Sequence, residues 1–277
     1  SYSNFEFIIV YDESTDNTIK ILNEYSKLDS RVKIISGNQS GILGALNKGL
    51  QESQGRFIAR MDADDISITN RLEIQLKYLK NNNLDICGSH HTMINNLGDE
   101  IGFFLSPVTH ESCVLALAFE VPFAHPSVMI RKDFIISNNI KYGQSSFVNA
   151  EDYDLWVRMQ SAGAKFGSIN APLIKYRILE NSLSRINNYK VTEDTKALSS
   201  ISYKENFSSN LKNVEFIINN ANPKEELLVA RFLIINLFKL RLHKVTLITK
   251  ISLKIIINAF LKDIYLRIRY FLIRLQN

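Results

Sequence analysis

The residues whose types and spacing could do chemistry begin with Met61-Asp62-Ala63-Asp64-Asp65, an acidic run closing the apolar stretch that starts at Phe57. In an extended chain, residues two apart point to the same side with alpha carbons about 6.5–7 Å apart, so Asp62 and Asp64 can converge on one divalent cation. Hard carboxylate oxygens suit Mg²⁺ or Mn²⁺, which complete their shells with substrate phosphates. The same run also reads as a solvated acidic turn ahead of a helix near Asn70, and two carboxylates alone do not separate these readings. A second group, Asn149-Ala150-Glu151-Asp152-Tyr153-Asp154-Leu155-Trp156, opens a helix whose apolar face carries Leu155, Trp156 and Met159. The helix dipole stabilises acids in that first turn, and a carboxylate held there beside a bound hydroxyl can act as a general base. The third element, Val121-Pro122-Phe123-Ala124-His125-Pro126-Ser127, is a stiff loop leading into a strand. There His125 either orients a hydroxyl-bearing ligand or packs behind the site. His90, His91, His110 and His243 show no ligand spacing, and none is assigned a role.

The elements that must position these residues alternate in type. Phe5 to Val10 is a β-branched and aromatic run, followed by the polar stretch Asp12 to Asp16, which can cap a helix through Ile19, Ile21 and Leu22. Val32 to Ile35 reads as strand, Gly41 to Ser53 as helix, Phe57 to Met61 as strand, and Asn70 to Lys80 as helix. Further strands are expected at Leu84 to His91, Ser127 to Arg131, Lys165 to Ile169 and Leu173 to Ile178, with a helix from Glu151 to Ala162 stopped by Gly163. Such alternation predicts an α/β fold with a mostly parallel sheet flanked by helices. Ligands then bind beyond the carboxyl ends of the strands, where the acidic runs after Val10 and Met61 fall.

Composition bounds the answer. The chain has 277 residues, 45% apolar and 22% charged, too apolar for a disordered polymer. Cys87 and Cys113 cannot build a disulfide framework and lie in no zinc-binding pattern, a usage that fits a reducing cytosol. The N-terminus has no basic n-region or small-residue cleavage site, so it is not a secretory signal. Of the net +5, positions 239–277 carry nine Lys/Arg against Asp263, a local +8, leaving 24 basic and 27 acidic residues, or −3, in the body. A basic nucleic-acid-binding surface over the whole chain is therefore excluded, and no nucleic-acid partner is expected.

In order along the chain, FEFIIVYDESTDNT, ALNKGLQESQGRFIARMDADD, VPFAHPSVMIRKDF, NAEDYDLWVRM and KYRILENSLS resemble glycosyltransferase family 2, the inverting nucleotide-sugar transferases of GT-A fold, over about Phe5 to Ser184. The resemblance implies a GT-A-like domain over 1–185 and a helical region over 186–277. It places Asp12 at the nucleotide base, Asp62 at the donor ribose, and Asp62 with Asp64 at the Mn²⁺ or Mg²⁺ that binds the diphosphate. Asp152 becomes the catalytic base, with Glu151, His125 and Trp156 contacting or positioning the acceptor. Asp152 would deprotonate an acceptor hydroxyl that attacks the anomeric carbon from behind, inverting it in one displacement. Three departures stand out. Tyr11, Asp12 and Glu13 replace two acids and a glycine; Leu179 stands where a histidine is frequent; and the family's opening strand would precede Ser1, which implies an N-terminally truncated domain.

From Leu227 to Leu275, apolar residues recur at helical spacing, and cations interrupt each apolar run before it reaches the roughly 18–20 residues that span a bilayer. This tail is expected to lie on an anionic membrane surface or to pack as a helical bundle. With the resemblance, the whole is expected to be a bacterial cell-surface polysaccharide enzyme, of O-antigen or capsule type, peripheral on the cytoplasmic face of the membrane. The resemblance implies a nucleoside-diphosphate sugar as its donor and a saccharide or lipid-linked saccharide as its acceptor. The alternative is a noncatalytic membrane-associated scaffold descended from such an enzyme.

Overall fold

The computed structural model describes residues 1–179 and 188–206, and beyond them 210, 212–214, 216–217, 225 and 228–229. The basic tail over 239–277 lies outside the described residues. Two sheets form. Strands β1 (Phe7–Tyr11) and β2 (Val32–Ser36) pair in parallel, Phe7 opposite Val32 through Tyr11 opposite Ser36, connected by helix α1 (Thr18–Leu28). Helix α2 (Gly41–Glu52) follows and packs on β1. Of the acids expected to cap α1, Asp16 does so, accepting from the Thr18 amide at 2.9 Å. Asp12 instead caps α2, accepting from the Gly41 amide at 3.2 Å.

The six-stranded sheet contains β3 (Phe57–Ala59), β4 (Ile66–Ser67), β5 (Ile86–Ile94), β6 (Glu100–Phe104), β7 (Met129–Arg131) and β8 (Phe166–Arg177). Its order is β3-β7-β5-β8-β4, with β6 added on β5. Only β5 and β8 run parallel; the β3/β7, β4/β8, β5/β6 and β5/β7 pairs are antiparallel. The fold is thus mixed α/β, and the larger sheet is less parallel than the alternation predicts. The two expected closing strands merge into β8, which passes Pro172 by a register shift opposite His90. Helices α3 (Arg71–Asn81), α4 (His110–Ala116), α5 (Lys132–Ser137) and α6 (Glu151–Ser161) cover the sheet's surroundings. Gly163, at φ +86°, ends α6 as expected.

The main core gathers Ile86, Leu117, Phe123, Ile130, Tyr153, Trp156 and Phe166. Phe123 sets its edge against Trp156 and stacks on Phe166, with centroids 5.8 and 6.3 Å away. The helical region begins with α7 (Asn188–Glu205), which lies on α6: Leu198 enters the main core, and Asn206 and Gln160 exchange side-chain hydrogen bonds of 2.7 and 2.8 Å. Buried Glu225 accepts from the Val108 amide and the Ser112 hydroxyl, at 3.1 and 2.6 Å, so this region also braces the start of α4. Among the described residues no helix is long and apolar enough to cross a membrane.

Candidate active site

The site is built where β3 runs out. The Arg60 amide still bonds to the Val128 carbonyl, at 3.1 Å. Behind it sits Arg71, 2% exposed, donating to the Arg60 carbonyl at 2.8 Å, the Val128 carbonyl at 3.2 Å and Gln75 Oε1 at 2.8 Å. Gln75, one turn along α3, donates to the Ser127 carbonyl at 2.8 Å. Two side chains of one helix thus fix the end of β3 to the start of β7, and the acidic turn leaves from a rigid point.

In that turn, carboxylate oxygens of Asp62, Asp64 and Asp65 lie within 4.8 Å of one another. Arg60 grips Asp62 in a fork, Nη1 to Oδ2 and Nη2 to Oδ1, both at 2.5 Å. Asp64 is exposed, whereas Asp65 is buried, accepting the Arg177 amide on Oδ1 at 2.8 Å. Its Oδ2 is buried with no hydrogen-bond partner. Burial, with the charges of Asp62 and Asp64 adding to it, pushes the Asp65 carboxyl up to about 6. The Arg177 side chain closes the turn from the far side, donating from Nε to the Asp64 carbonyl at 2.7 Å and from Nη1 to the Asn95 carbonyl at 2.8 Å.

The second half is the N-terminus of α6. Asp152 is partly buried, with Oδ1 accepting the Tyr153 amide at 2.7 Å. Burial raises its carboxyl above the usual range; the Arg60 charge opposes this and the Asp62 charge adds to it. Glu151 feels the same two charges, and burial together with Asp152 pushes it up to about 7. The acidic turn and the α6 terminus therefore share one electrostatic neighbourhood. The Tyr176 phenol stands in the fields of Asp62, Asp65, Asp152 and Asp64 together; burial first, and then these charges, raise it above its ordinary value.

His125 sits behind Glu151, 6% exposed, with Nδ1 3.8 Å from Glu151 Oε1 and Nε2 2.8 Å from the Tyr142 hydroxyl. Burial and the Arg60 charge hold it well below its ordinary value, so it is neutral and the Glu151 contact is not an ion pair. Trp156 requires a correction. Fully buried, it touches His125 edge-on at 5.7 Å and cannot meet an acceptor; of the two roles expected, only positioning fits. Asp12 stands apart from the cluster, at the end of β1. One oxygen caps α2, and the other, Oδ1, is buried without a partner against Gly37, where any Cβ would collide with it.

The sequence-level reading missed Arg60, Asp65, Tyr176 and Arg177 as parts of the site. Arg60 and Asp65 flank the acidic pair, and Tyr176 and Arg177 lie in the KYRILENSLS motif, whose type and spacing alone give them no part in the site.

A family model described as glycosyl transferase family 2 matches residues 1–138. The O-antigen biosynthesis glycosyltransferase WbnJ of Escherichia coli is 35% identical over 188 residues, 67% of this chain and 72% of WbnJ. The chain belongs to glycosyltransferase family 2. A second E. coli relative, the UDP-Glc:alpha-D-GlcNAc-diphosphoundecaprenol beta-1,3-glucosyltransferase WfgD, is 31% identical over 189 residues, 66% of this chain and 70% of WfgD. Among solved structures, S. aureus TarS 1–349 in complex with UDP-GlcNAc superposes with a TM-score of 0.54 at 17% identity, covering 92% of this chain and 70% of that one. That likeness concerns the fold.

Proposed function

We propose that the chain transfers a sugar from a nucleoside-diphosphate donor to an acceptor hydroxyl, with inversion, in the assembly of a bacterial cell-surface polysaccharide. The observation that carries this reading is the shared field of the Asp62/Asp64/Asp65 cluster and Asp152. Three hard carboxylates, one with an orphaned buried oxygen, fit Mn²⁺ or Mg²⁺. Asp62, Asp64 and Asp65 would hold that cation, which supplies charge neutralisation for the departing diphosphate.

The remaining work falls to the chain's own groups. Asp152 accepts the proton of the attacking hydroxyl; its raised affinity for a proton suits a base acting near neutrality. The Tyr153 amide, donating to Oδ1, fixes which carboxylate oxygen is free to do so. Glu151, backed by His125 and through it by Tyr142 and Trp156, lines the acceptor side. The unpaired Oδ1 of Asp12, near the mouth of β1, is suited to a donor N–H of a nucleotide base. No second carboxylic acid is required for the leaving group, which separates this scheme from glycoside hydrolysis.

WfgD is named for a UDP-glucose donor and a diphosphoundecaprenol-linked acceptor. By that analogy the acceptor here is a lipid-linked saccharide, and the +8 tail keeps the enzyme at the cytoplasmic membrane face where such acceptors lie. The test is a panel of UDP-sugars with Mn²⁺ and a lipid-linked acceptor, with the product anomer read by NMR. Replacing Asp152 with Asn should leave UDP binding within about twofold and lower kcat by roughly 10³-fold. A product that retains the donor's anomeric configuration, or an Asp152→Asn enzyme of undiminished kcat, overturns the mechanism.

A further inference from the structure

Asp62 is claimed twice. The cation site proposed above needs its carboxylate, yet both of its oxygens are engaged by one guanidinium, in the most favourable geometry an arginine and a carboxylate can adopt. Arg60 is no passing surface partner. Its side chain is only 12% exposed, against 35% for Asp62, and its backbone is fixed by Val128 in front and Arg71 behind. Its charge also bears on Asp65, Glu151, Asp152, His125 and Tyr142. The cluster thereby presents a bare cation with one exposed carboxylate, Asp64, and one orphaned oxygen, on Asp65, beside a fixed positive charge.

We propose that Arg60 is a positioning residue that competes with the divalent cation for Asp62, and that an arriving diphosphate relieves the competition by taking the guanidinium. This rests on the cation site proposed above. A cation approaching Asp62 alone must open the fork and sit beside the displaced guanidinium, which opposes it by like-charge repulsion. A diphosphate brings further negative charge and oxygens that accept the same planar fork bidentately. Asp62 is then released to the cation, and cation and diphosphate enter as mutually supporting ligands. The coupling is reciprocal, since whatever factor the cation gains from the diphosphate, the diphosphate gains from the cation.

The experiment measures Mn²⁺ binding by EPR, on the full chain, with Mn²⁺ alone and with saturating UDP. With Mn²⁺ alone, Arg60→Met should bind about tenfold more tightly than the unmodified protein, and Arg60→Lys, which keeps the charge without the fork, should fall between. With UDP present, all three should converge to within about threefold. Asp64→Asn serves as the control for the cation site and should weaken Mn²⁺ binding in every background. Equal or weaker binding of Mn²⁺ alone by Arg60→Met, with the Asp64→Asn effect intact, overturns the role of Arg60 and leaves the cation site standing. An Asp64→Asn variant that binds Mn²⁺ as well as its parent overturns the cation site, and this proposal with it. An advantage of Arg60→Met that persists unchanged with UDP overturns the hand-over to diphosphate. Thermal melts of each variant show which are folded, and Arg60→Lys decides the matter should Arg60→Met not fold.

Discussion

Replacing Glu151 with Gln tests the electrostatics of the α6 terminus without removing any atom the fold packs against. The Glu151 side chain is 17% exposed, flanked by Asp152 and backed by a neutral His125, and its carboxyl is raised from an ordinary 4.5 to about 7. A carboxyl raised on folding is bound to its proton more tightly in the folded chain than in the unfolded one. The stability this contributes is complete below about 4.5 and is lost as pH climbs through about 7. That displacement corresponds to roughly 3 kcal/mol between the two ends of the window, a ceiling that solvent contact lowers toward 2. Gln is neutral throughout, so the Glu151→Gln protein should match its parent in stability at pH 4.5 and exceed it by about 2 kcal/mol at pH 8.5. Urea unfolding midpoints for both proteins at the two pH values give the answer. Parallel stability profiles, or a variant less stable at pH 8.5, refute the claim that Glu151 is held as an uncomfortable anion.

Two further outcomes concern the scaffold. A Cβ on Gly88 would sit less than 3.0 Å from three side-chain atoms of Phe123, so Gly88→Ala must displace that ring from between Trp156 and Phe166. We expect a loss of about 1–3 kcal/mol in urea unfolding, together with a fall in kcat, because Phe123 lies two residues before His125. Arg71→Met removes the donor that satisfies two backbone carbonyls and Gln75, and should cost about 2–4 kcal/mol; a loss below about 0.5 kcal/mol would show that water replaces the guanidinium.

Much of the architecture is legible in the order of residues because it rests on local patterns. The β-branched runs of β1 and β2, the Leu72, Leu76 and Leu79 stripe of α3, and the stop at Gly163 each announce themselves within a dozen positions. What is missed is short or non-local. Five of the seven residues of helix α4 are apolar or small, and Ser112 to Ala116 are all buried, so it shows no alternation of polar and apolar faces; only Thr109, whose hydroxyl accepts the Ser112 amide at 3.2 Å, marks its start. Strand β4 is two residues long, and the antiparallel pairings join segments whose directions only the assembled sheet fixes. The same division runs through the site. Asp62, Asp64, Glu151 and Asp152 advertise chemistry by type, whereas the bond from the Arg177 amide to Asp65 spans 112 positions. The buried state of Trp156 is likewise a property of the packed core, and an aromatic beside two acids gives no hint of it.

That long-range bond depends on an irregularity in β8, opposite His90. Between Ser89 and His91, β5 advances two positions while the paired β8 advances five, from Ile169 to Ile174. Three extra residues are an odd number, and side chains alternate faces at every step, so the irregularity exchanges the faces of everything beyond it on β8. Tyr176 and Arg177 lie beyond it. The extra residues are held by His90, whose Nδ1 accepts the Ser106 amide at 3.1 Å and whose Nε2, necessarily the protonated nitrogen, donates to Asn170 Oδ1 at 2.8 Å. A β8 without those three extra residues would bring its neighbouring residues to the acidic turn in the opposite orientation. The Arg177 amide would no longer point at Asp65, and the phenol of Tyr176 would leave the four carboxylates. The arrangement of the candidate site is therefore set partly by an irregularity opposite a histidine of the neighbouring strand, 86 positions before Tyr176 in the chain.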